Sequence, residues 1–158
     1  NHLWEEAVKL EMDQQAECDT YKDLGYNAKA PNGYKKIRVH IVWDAKHDGR
    51  HKARLVADEK LTETTLSSVY CEVVSLRGVR LVLFLAELNE IETWCTTIDN
   101  AYLEAKTKEK VCIRAGPEFG KLEGHTLIIS KALCGLRTSG VRWHERLADC
   151  LNEMGFFP

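Results

Sequence analysis

Residues 37–57 read Ile-Arg-Val-His-Ile-Val-Trp-Asp-Ala-Lys-His-Asp-Gly-Arg-His-Lys-Ala-Arg-Leu-Val-Ala, and this stretch carries the clearest structural signal in the chain. Apolar and polar residues alternate on both sides of Asp48-Gly49, a dipeptide typical of tight turns, so the segment predicts a β-hairpin. Successive side chains of a strand point to opposite faces. One face is expected to pack, and it carries Ile37, Val39, Ile41 and Leu55. The other face is expected to present cations, and it carries Arg38, His40, Lys52 and Arg54.

The charge distribution singles out the same hairpin. The chain has 158 residues, enough for one domain with a core, and a formal net charge of -2. Residues 35–60 nevertheless carry eight Lys or Arg against four Asp or Glu, whereas residues 1–34 carry three Lys against seven acidic residues. A chain-wide affinity for polyanions is therefore disfavoured, and a local basic patch on the hairpin is predicted.

The remaining segments predict a mixture of helices and strands. Helices are expected over residues 3–16, over about 76–89 after the cap residue Ser75, and from Thr138 or Ser139 until Gly155; strands are expected over 92–98, 111–114 and 126–129. Because helices and strands do not alternate regularly, the predicted class is α+β, and a parallel doubly wound sheet is disfavoured.

The residue pattern argues against several kinds of site and location. The first residues are acidic without an apolar run, and the longest apolar stretch is too short for a bilayer, so we expect an intracellular, non-secreted chain with no membrane partner. The six cysteines include no Cys-x-x-Cys pair, which disfavours zinc and favours reduced thiols. His47 and His51 have the spacing of helical zinc ligands but flank a turn, which argues against a metal pair.

Five segments, in order, resemble copia-type retrotransposon reverse transcriptases. They correspond to the family's opening helix, its basic fingers strand, the first catalytic motif of the palm, the turn after that motif, and the next motif with its helix. The matching residues are Trp4, Ala7, Glu11 and Met12; Lys52-Ala53-Arg54-Leu55-Val56-Ala57; Asn100-Ala101-Tyr102-Leu103; Gly116-Pro117-Glu118-Phe119-Gly120; and Lys131-Ala132-Leu133-Cys134-Gly135-Leu136-Arg137 with Arg142-Trp143.

The resemblance implies the fingers and partial palm of a right-hand polymerase, with mixed or antiparallel strands and helices packed on them. Residues 1–75 would be fingers-like, and residues 76–158 would be the start of the palm, truncated before the hairpin that carries the family's paired aspartates. The apolar faces of the last helix and of residues 126–129 are then expected to lack partners. The implied partners are an RNA or DNA template–primer, dNTP and the integrase and RNase H domains of a Pol polyprotein, in a cytoplasmic virus-like particle.

The resemblance also implies roles for individual residues. Lys52 and Arg54 would contact the incoming nucleotide or the template, and Tyr102 would sense the sugar and exclude a 2′-hydroxyl. The alternatives are a solvated strand face for the two cations and a packed core position for the tyrosine. The family's first catalytic aspartate falls at Thr97, a neutral residue and a poor Mg²⁺ ligand. On a continued strand Asp99 would lie about 7 Å further along the same face, too far to substitute.

These departures determine the predicted function. The chain is expected to be a fragment of an RNA-directed DNA polymerase that is catalytically incompetent by itself and does not bind Mg²⁺, the family's cofactor, productively. The alternative is a non-enzymatic retroelement remnant with weak, salt-sensitive nucleic-acid binding, or with no function.

Overall fold

The computed structural model of the chain describes residues 2–58, 71 and 73–157. The helices are α1 (His2–Glu17), α2 (Leu76–Leu88) and α3 (Ser139–Glu153), and the strands are β1 (Tyr21–Tyr26), β2 (Lys35–Lys36), β3 (Val39–Ala45), β4 (His51–Ala57), β5 (Val111–Arg114) and β6 (His125–Ile129). Short 3₁₀ helices lie at Ala101–Glu104 and Pro117–Leu122. This mixture of helices and strands confirms the predicted α+β class.

The larger sheet is organised around β6. Its strand order is β1-β6-β5-β2, with β6 antiparallel to both neighbours and β2 parallel to β5. Leu127 and Ile129 of β6 are at most 2% exposed and pack in the core beside Val111 and Ile113 of β5. The prediction that residues 126–129 would lack a partner is therefore wrong, because a strand pairs with each edge of β6.

Strands β3 and β4 form the predicted hairpin as a sheet of their own. The register pairs Val39 with Ala57 and Ile41 with Leu55, which places these four residues on one face. Leu55 and Ala57 are buried in the core cluster, against which Met12 of α1 packs. The apolar face of the hairpin is thus covered by α1, and the predicted separation of apolar and cationic faces is confirmed.

The segment from α2 to residue 98 departs most from the sequence prediction. Ser75 caps α2 as predicted, since its hydroxyl accepts a hydrogen bond from the Gly78 N–H at 3.1 Å. Residues 91–98, by contrast, form no strand. A strand requires a neighbour that supplies ladder hydrogen bonds, and no described strand pairs with this segment. Trp94 is 88% exposed, so the apolar residues here do not pack as a strand face would.

Helix α2 presents much of its apolar surface to solvent. Ala86 is buried, whereas large side chains around the helix are exposed: Leu76, Val79, Leu81, Val82, Leu83, Phe84, Leu85 and Leu88. Among the described residues, no helix has both the length and the apolar character required to cross a bilayer.

Helix α3 begins at Ser139, within the predicted start. Glu109, from the loop before β5, accepts hydrogen bonds from the Thr138 N–H at 3.1 Å and from the Thr138 hydroxyl at 2.7 Å. A carboxylate at this position satisfies a helix-terminal donor and interacts favourably with the helix dipole. Leu151 and Met154 near the other end are exposed, as expected for a helix whose apolar face lacks a partner there.

Gly135 joins the hairpin to the rest of the fold. The Ala57 N–H donates a hydrogen bond to the Cys134 carbonyl at 2.7 Å, which brings the two backbones together. Gly135 has a φ of +88°, and a Cβ there would overlap the Ala57 carbonyl oxygen and lie 2.8 Å from Val56 Cγ1. Both the backbone conformation and the close approach therefore require glycine.

The variant Gly135→Ala is expected to lower the free energy of unfolding by about 3 kcal/mol, because overlap with Ala57 adds to the strain of a positive φ. Gly155→Ala is the matched control, since Gly155 also has a φ of +88° but open space around the added Cβ. Gly155→Ala should lower the free energy of unfolding by only about 1 kcal/mol. Urea denaturation measures both losses, and equal losses would show that the contact with Ala57 does not constrain the fold.

Candidate functional site

A cleft of about 260 Å³ opens between the hairpin and the segments that follow α2. Four parts of the chain form its walls: Glu11 and Gln15 of α1; Lys52, Arg54 and Leu55 of β4; Asn100, Ala101, Tyr102 and Leu103; and Leu133 and Cys134. The structure therefore brings together the three residues that the sequence predicted as nucleotide or template contacts, Lys52, Arg54 and Tyr102.

The cationic wall of the cleft is formed by β4. Lys52 is half-buried, and the Arg54 side chain is 47% exposed. Arg54 Nη1 lies 3.9 Å from Asp44 Oδ2, but an ion pair at that distance and exposure contributes little to stability. Among the residues that the structure describes, Glu11 is the one carboxylate in the cleft wall, so the two cations there leave an excess positive charge that favours an anionic ligand.

Tyr102 is presented to the cleft by the 3₁₀ helix Ala101–Glu104. Asn100 begins this turn with a φ of +50°, a conformation that asparagine tolerates better than most residues. The Leu103 N–H donates to the Asn100 carbonyl at 2.7 Å, and the Leu103 side chain is 5% exposed, which anchors the turn in the core. The Tyr102 side chain is left 38% exposed, so the alternative of a packed core tyrosine does not describe it.

Helix α1 contributes two polar residues whose place in the cleft the sequence did not reveal. Glu11 Oε1 accepts a hydrogen bond from the Leu55 N–H and another from Gln15 Nε2, both at 2.9 Å. Residues four apart lie on the same face of a helix, so this carboxylate and amide point together toward β4. The available signal was a Glu and a Gln at that spacing on the packed side of an amphipathic helix.

Thr97 and Asp99 lie outside the wall of the cleft, and both are exposed. Residues 91–98 are not a strand, so the continued strand that would place Asp99 about 7 Å beyond Thr97 on one face is not present. Within residues 2–58, 71 and 73–157, no group of three or more His, Cys, Asp or Glu side chains is arranged to hold a metal ion.

Comparison with known proteins supports the resemblance to copia-type reverse transcriptases. Residues 24–158 match the family described as "Reverse transcriptase (RNA-dependent DNA polymerase)". The Transposon Ty1-NL2 Gag-Pol polyprotein of Saccharomyces cerevisiae is 31% identical over 151 residues, which cover 94% of this chain and 9% of that relative. The Transposon Ty1-DR5 Gag-Pol polyprotein of the same yeast is 31% identical over 149 residues, which cover 92% of this chain and 8% of that protein. No solved structure matches.

The family match covers most of the chain, and the similar polyproteins are retrotransposon products. The chain belongs to the reverse transcriptase family, and its relatives place it in the copia-type group of that family. It spans less than a tenth of the length of the curated relatives described above.

The variant Glu11→Ala is expected to lower the free energy of unfolding by about 2 kcal/mol, because the Leu55 N–H and the Gln15 amide lose their acceptor. Glu17→Ala makes the same chemical change on the exposed last turn of α1, and it should change stability by less than about 0.5 kcal/mol. Chemical denaturation of both variants measures the difference. Equal effects would indicate that α1 holds β4 by apolar packing alone.

Proposed function

We propose that this chain forms the nucleotide-binding cleft of a copia-type reverse transcriptase domain, with residues 1–75 as the fingers-like part and residues 76–158 as the start of the palm. One observation carries the proposal: Lys52 and Arg54 of β4 line the same cleft as Tyr102, which follows far along the chain. Phosphate oxygens accept charge-assisted hydrogen bonds from such cations, and an aromatic ring supplies a flat wall for a sugar.

Tyr102 would select the sugar of the nucleotide. Its ring lines the cleft, and the buried Leu103 next to it holds the backbone of the turn in place. A bulky side chain held in this way excludes a 2′-hydroxyl and favours deoxynucleotides. The partners of the domain would accordingly be dNTP, a template–primer, and the integrase and RNase H domains of a Pol polyprotein.

We also propose that the chain does not polymerise DNA by itself. Reverse transcriptases use Mg²⁺, which prefers carboxylate oxygens in strict octahedral geometry, and two-ion chemistry requires several such ligands to converge. The residues at the expected position do not fit this ion. Thr97 is neutral and exposed, and Asp99 is exposed and outside the cleft that holds Lys52 and Tyr102.

The open face of the hairpin favours a second function, weak nucleic-acid binding. Arg38 and His40 are exposed on the same face as Arg54, and the Arg38 side chain is 79% exposed where it reaches Asp58 at 3.3 Å. Cations on such a face contact phosphates without reading sequence, and their binding weakens as the salt concentration rises. A retroelement remnant that has lost nucleotide binding would retain this weak binding of nucleic acid.

The variants Lys52→Ala and Arg54→Ala are each expected to weaken dNTP binding about tenfold, because each removes a charge-assisted phosphate contact. Lys22→Ala, which removes an exposed cation from β1 in the other sheet, should leave the affinity unchanged. Calorimetric titration of dTTP into the four proteins at low and high salt measures both affinity and its salt dependence. Equal affinities in all four would exclude the cleft as the site, and salt-sensitive binding of a duplex without dNTP binding would favour the second function.

Neither the wild-type chain nor Thr97→Asp is expected to extend a primer in the presence of Mg²⁺. A single added carboxylate on the exposed segment 91–98 does not create the convergent ligand set that two ions require. Primer extension on an RNA or a DNA template measures activity, and circular dichroism checks that the substitution leaves the fold intact. Extension by either protein would contradict the proposed incompetence.

A further inference from the structure

Five lysines from three separate segments meet on a part of the surface outside the cleft wall. Lys106, Lys108 and Lys110 precede β5, and all three are exposed. Backbone contacts join one further lysine to each end of this row, because Lys106 forms a β-bridge with Lys131 and the Lys35 N–H donates to the Lys110 carbonyl at 2.8 Å. Lys35 is exposed and Lys131 is half-buried. These five residues are called the lysine patch, and none of them lines the cleft.

The residues between the lysines of the row are engaged with the protein. Thr107 and Glu109 are half-buried. The Glu109 N–H donates to Thr107 Oγ1 at 3.1 Å, and the Glu109 carboxylate accepts the two hydrogen bonds from Thr138 described above. The acidic residue inside the row is thus bound to the start of α3, and the lysines at the alternate positions are left facing solvent.

The positive charge of the lysine patch is not balanced by the described residues. None of the five lysines forms an ion pair with another described residue. Lys106 and Lys108 also line a second cavity, of about 280 Å³, together with arginines and carboxylates. These are Arg142 and Arg146 of α3, and Glu104, Glu145 and Asp149. Glu145 is already paired with Arg142, at 2.7 Å. Cations therefore outnumber carboxylates here, and an anionic partner would lower their mutual repulsion.

The composition and size of the lysine patch favour a phosphate backbone over a lipid surface. Lysine is a compact cation that contacts phosphate as a point charge. Binding to lipid is strengthened by apolar side chains beside the cations, and none of the large apolar side chains of residues 103–150 is exposed. The patch spans at most about 24 Å, because Lys106 and Lys110 are four residues apart and each end adds about one strand spacing. This span equals the axial length of about seven phosphates on one strand of a duplex.

We propose that the lysine patch binds the phosphate backbone of a nucleic-acid strand without reading its sequence. The family of the chain is described as an RNA-dependent DNA polymerase, so a nucleic-acid strand is the polyanion that such a domain encounters. Backbone contacts of this kind position a strand and carry no sequence information. The patch shares no residue with the cleft or with the open face of the hairpin, so the inference does not depend on the function proposed for either of them.

The test compares three triple variants, each of which removes three exposed cations from the full chain. The patch variant is Lys106→Gln, Lys108→Gln and Lys110→Gln. The control is Lys9→Gln, Lys22→Gln and Lys121→Gln, on α1, on β1 and on the 3₁₀ helix Pro117–Leu122, and the hairpin variant is Arg38→Gln, Lys46→Gln and Arg54→Gln. All three lose the same charge, so a general electrostatic effect would change them equally. Circular dichroism should show the same melting temperature for the patch variant, the control and the wild type, because the substituted positions are exposed.

Fluorescence anisotropy of a labelled oligo(dT) measures binding at a series of NaCl concentrations. At low salt the patch variant is expected to bind about tenfold more weakly than the wild type. The slope of log K against log [NaCl] should fall in magnitude by about 2, as for the loss of three phosphate contacts to a single strand. The control should match the wild type in both affinity and slope.

Other outcomes would overturn the inference. They are a patch variant that binds like the wild type, a control that loses as much affinity as the patch variant, and a wild-type chain that does not bind oligo(dT). Loss of affinity in the hairpin variant alone would also overturn it, but would support the second function proposed above. A hairpin variant that weakens together with the patch variant would add a second contact surface and support the inference.

Competition tests the class of partner. Unlabelled oligo(dT), polyglutamate, and vesicles of phosphatidylcholine with phosphatidylserine are each added to the bound complex at equal concentrations of negative charge. Displacement by oligo(dT) alone supports a nucleic-acid surface. Equal displacement by polyglutamate or by the vesicles would mean that the patch accepts any polyanion or an anionic membrane, and it would overturn the assignment to nucleic acid.

Discussion

The close contact between Gly135 and Ala57 is the constraint on which the rest of the structure depends. A two-stranded hairpin is marginal by itself, so β3 and β4 require attachment to the rest of the chain. The hydrogen bond from the Ala57 N–H to the Cys134 carbonyl supplies one attachment, and α1 supplies the other. Leu133 and Cys134 also line the cleft, so the same contact sets the distance between its cationic wall and the wall that carries Tyr102.

The wall of the cleft carries two cations, which attract anions, and the carboxylate of Glu11, which opposes that attraction. Glu11 stabilises β4 by accepting a backbone hydrogen bond, but its negative charge lowers the positive potential that Lys52 and Arg54 create. A general affinity for polyanions is therefore not expected of this site, in keeping with the small net charge of the chain. In the proposed nucleotide site, selection of a ligand would depend on the position of each group, because two cations, an aromatic ring and the amide of Gln15 line one cleft.

Tyr102, which is proposed to bind nucleotide, is anchored in the fold, whereas the position expected to bind metal is not. Tyr102 follows a turn whose backbone is anchored by the buried Leu103, whereas Thr97 lies on the exposed segment between α2 and that turn. Helix α2 is similarly exposed, because Ala86 is buried whereas the large apolar side chains of the helix are exposed. The wall of the cleft is accordingly formed by β4, α1, residues 100–103 and Leu133 with Cys134, and none of residues 76–98 lines it.

The sequence by itself determined the hairpin, the N-terminal cap of α2 and the glycine that ends α3, because strand alternation, turn chemistry and capping are local properties of the chain. The order of its motifs also indicated the family. Only the tertiary structure decided that residues 91–98 form no strand and that β6 is buried, because a strand exists only when another supplies its hydrogen bonds. It alone also brought Gln15 and Glu11 beside Leu55. Contacts between residues so far apart in the chain follow from how helices and sheets pack, and no local period encodes that packing.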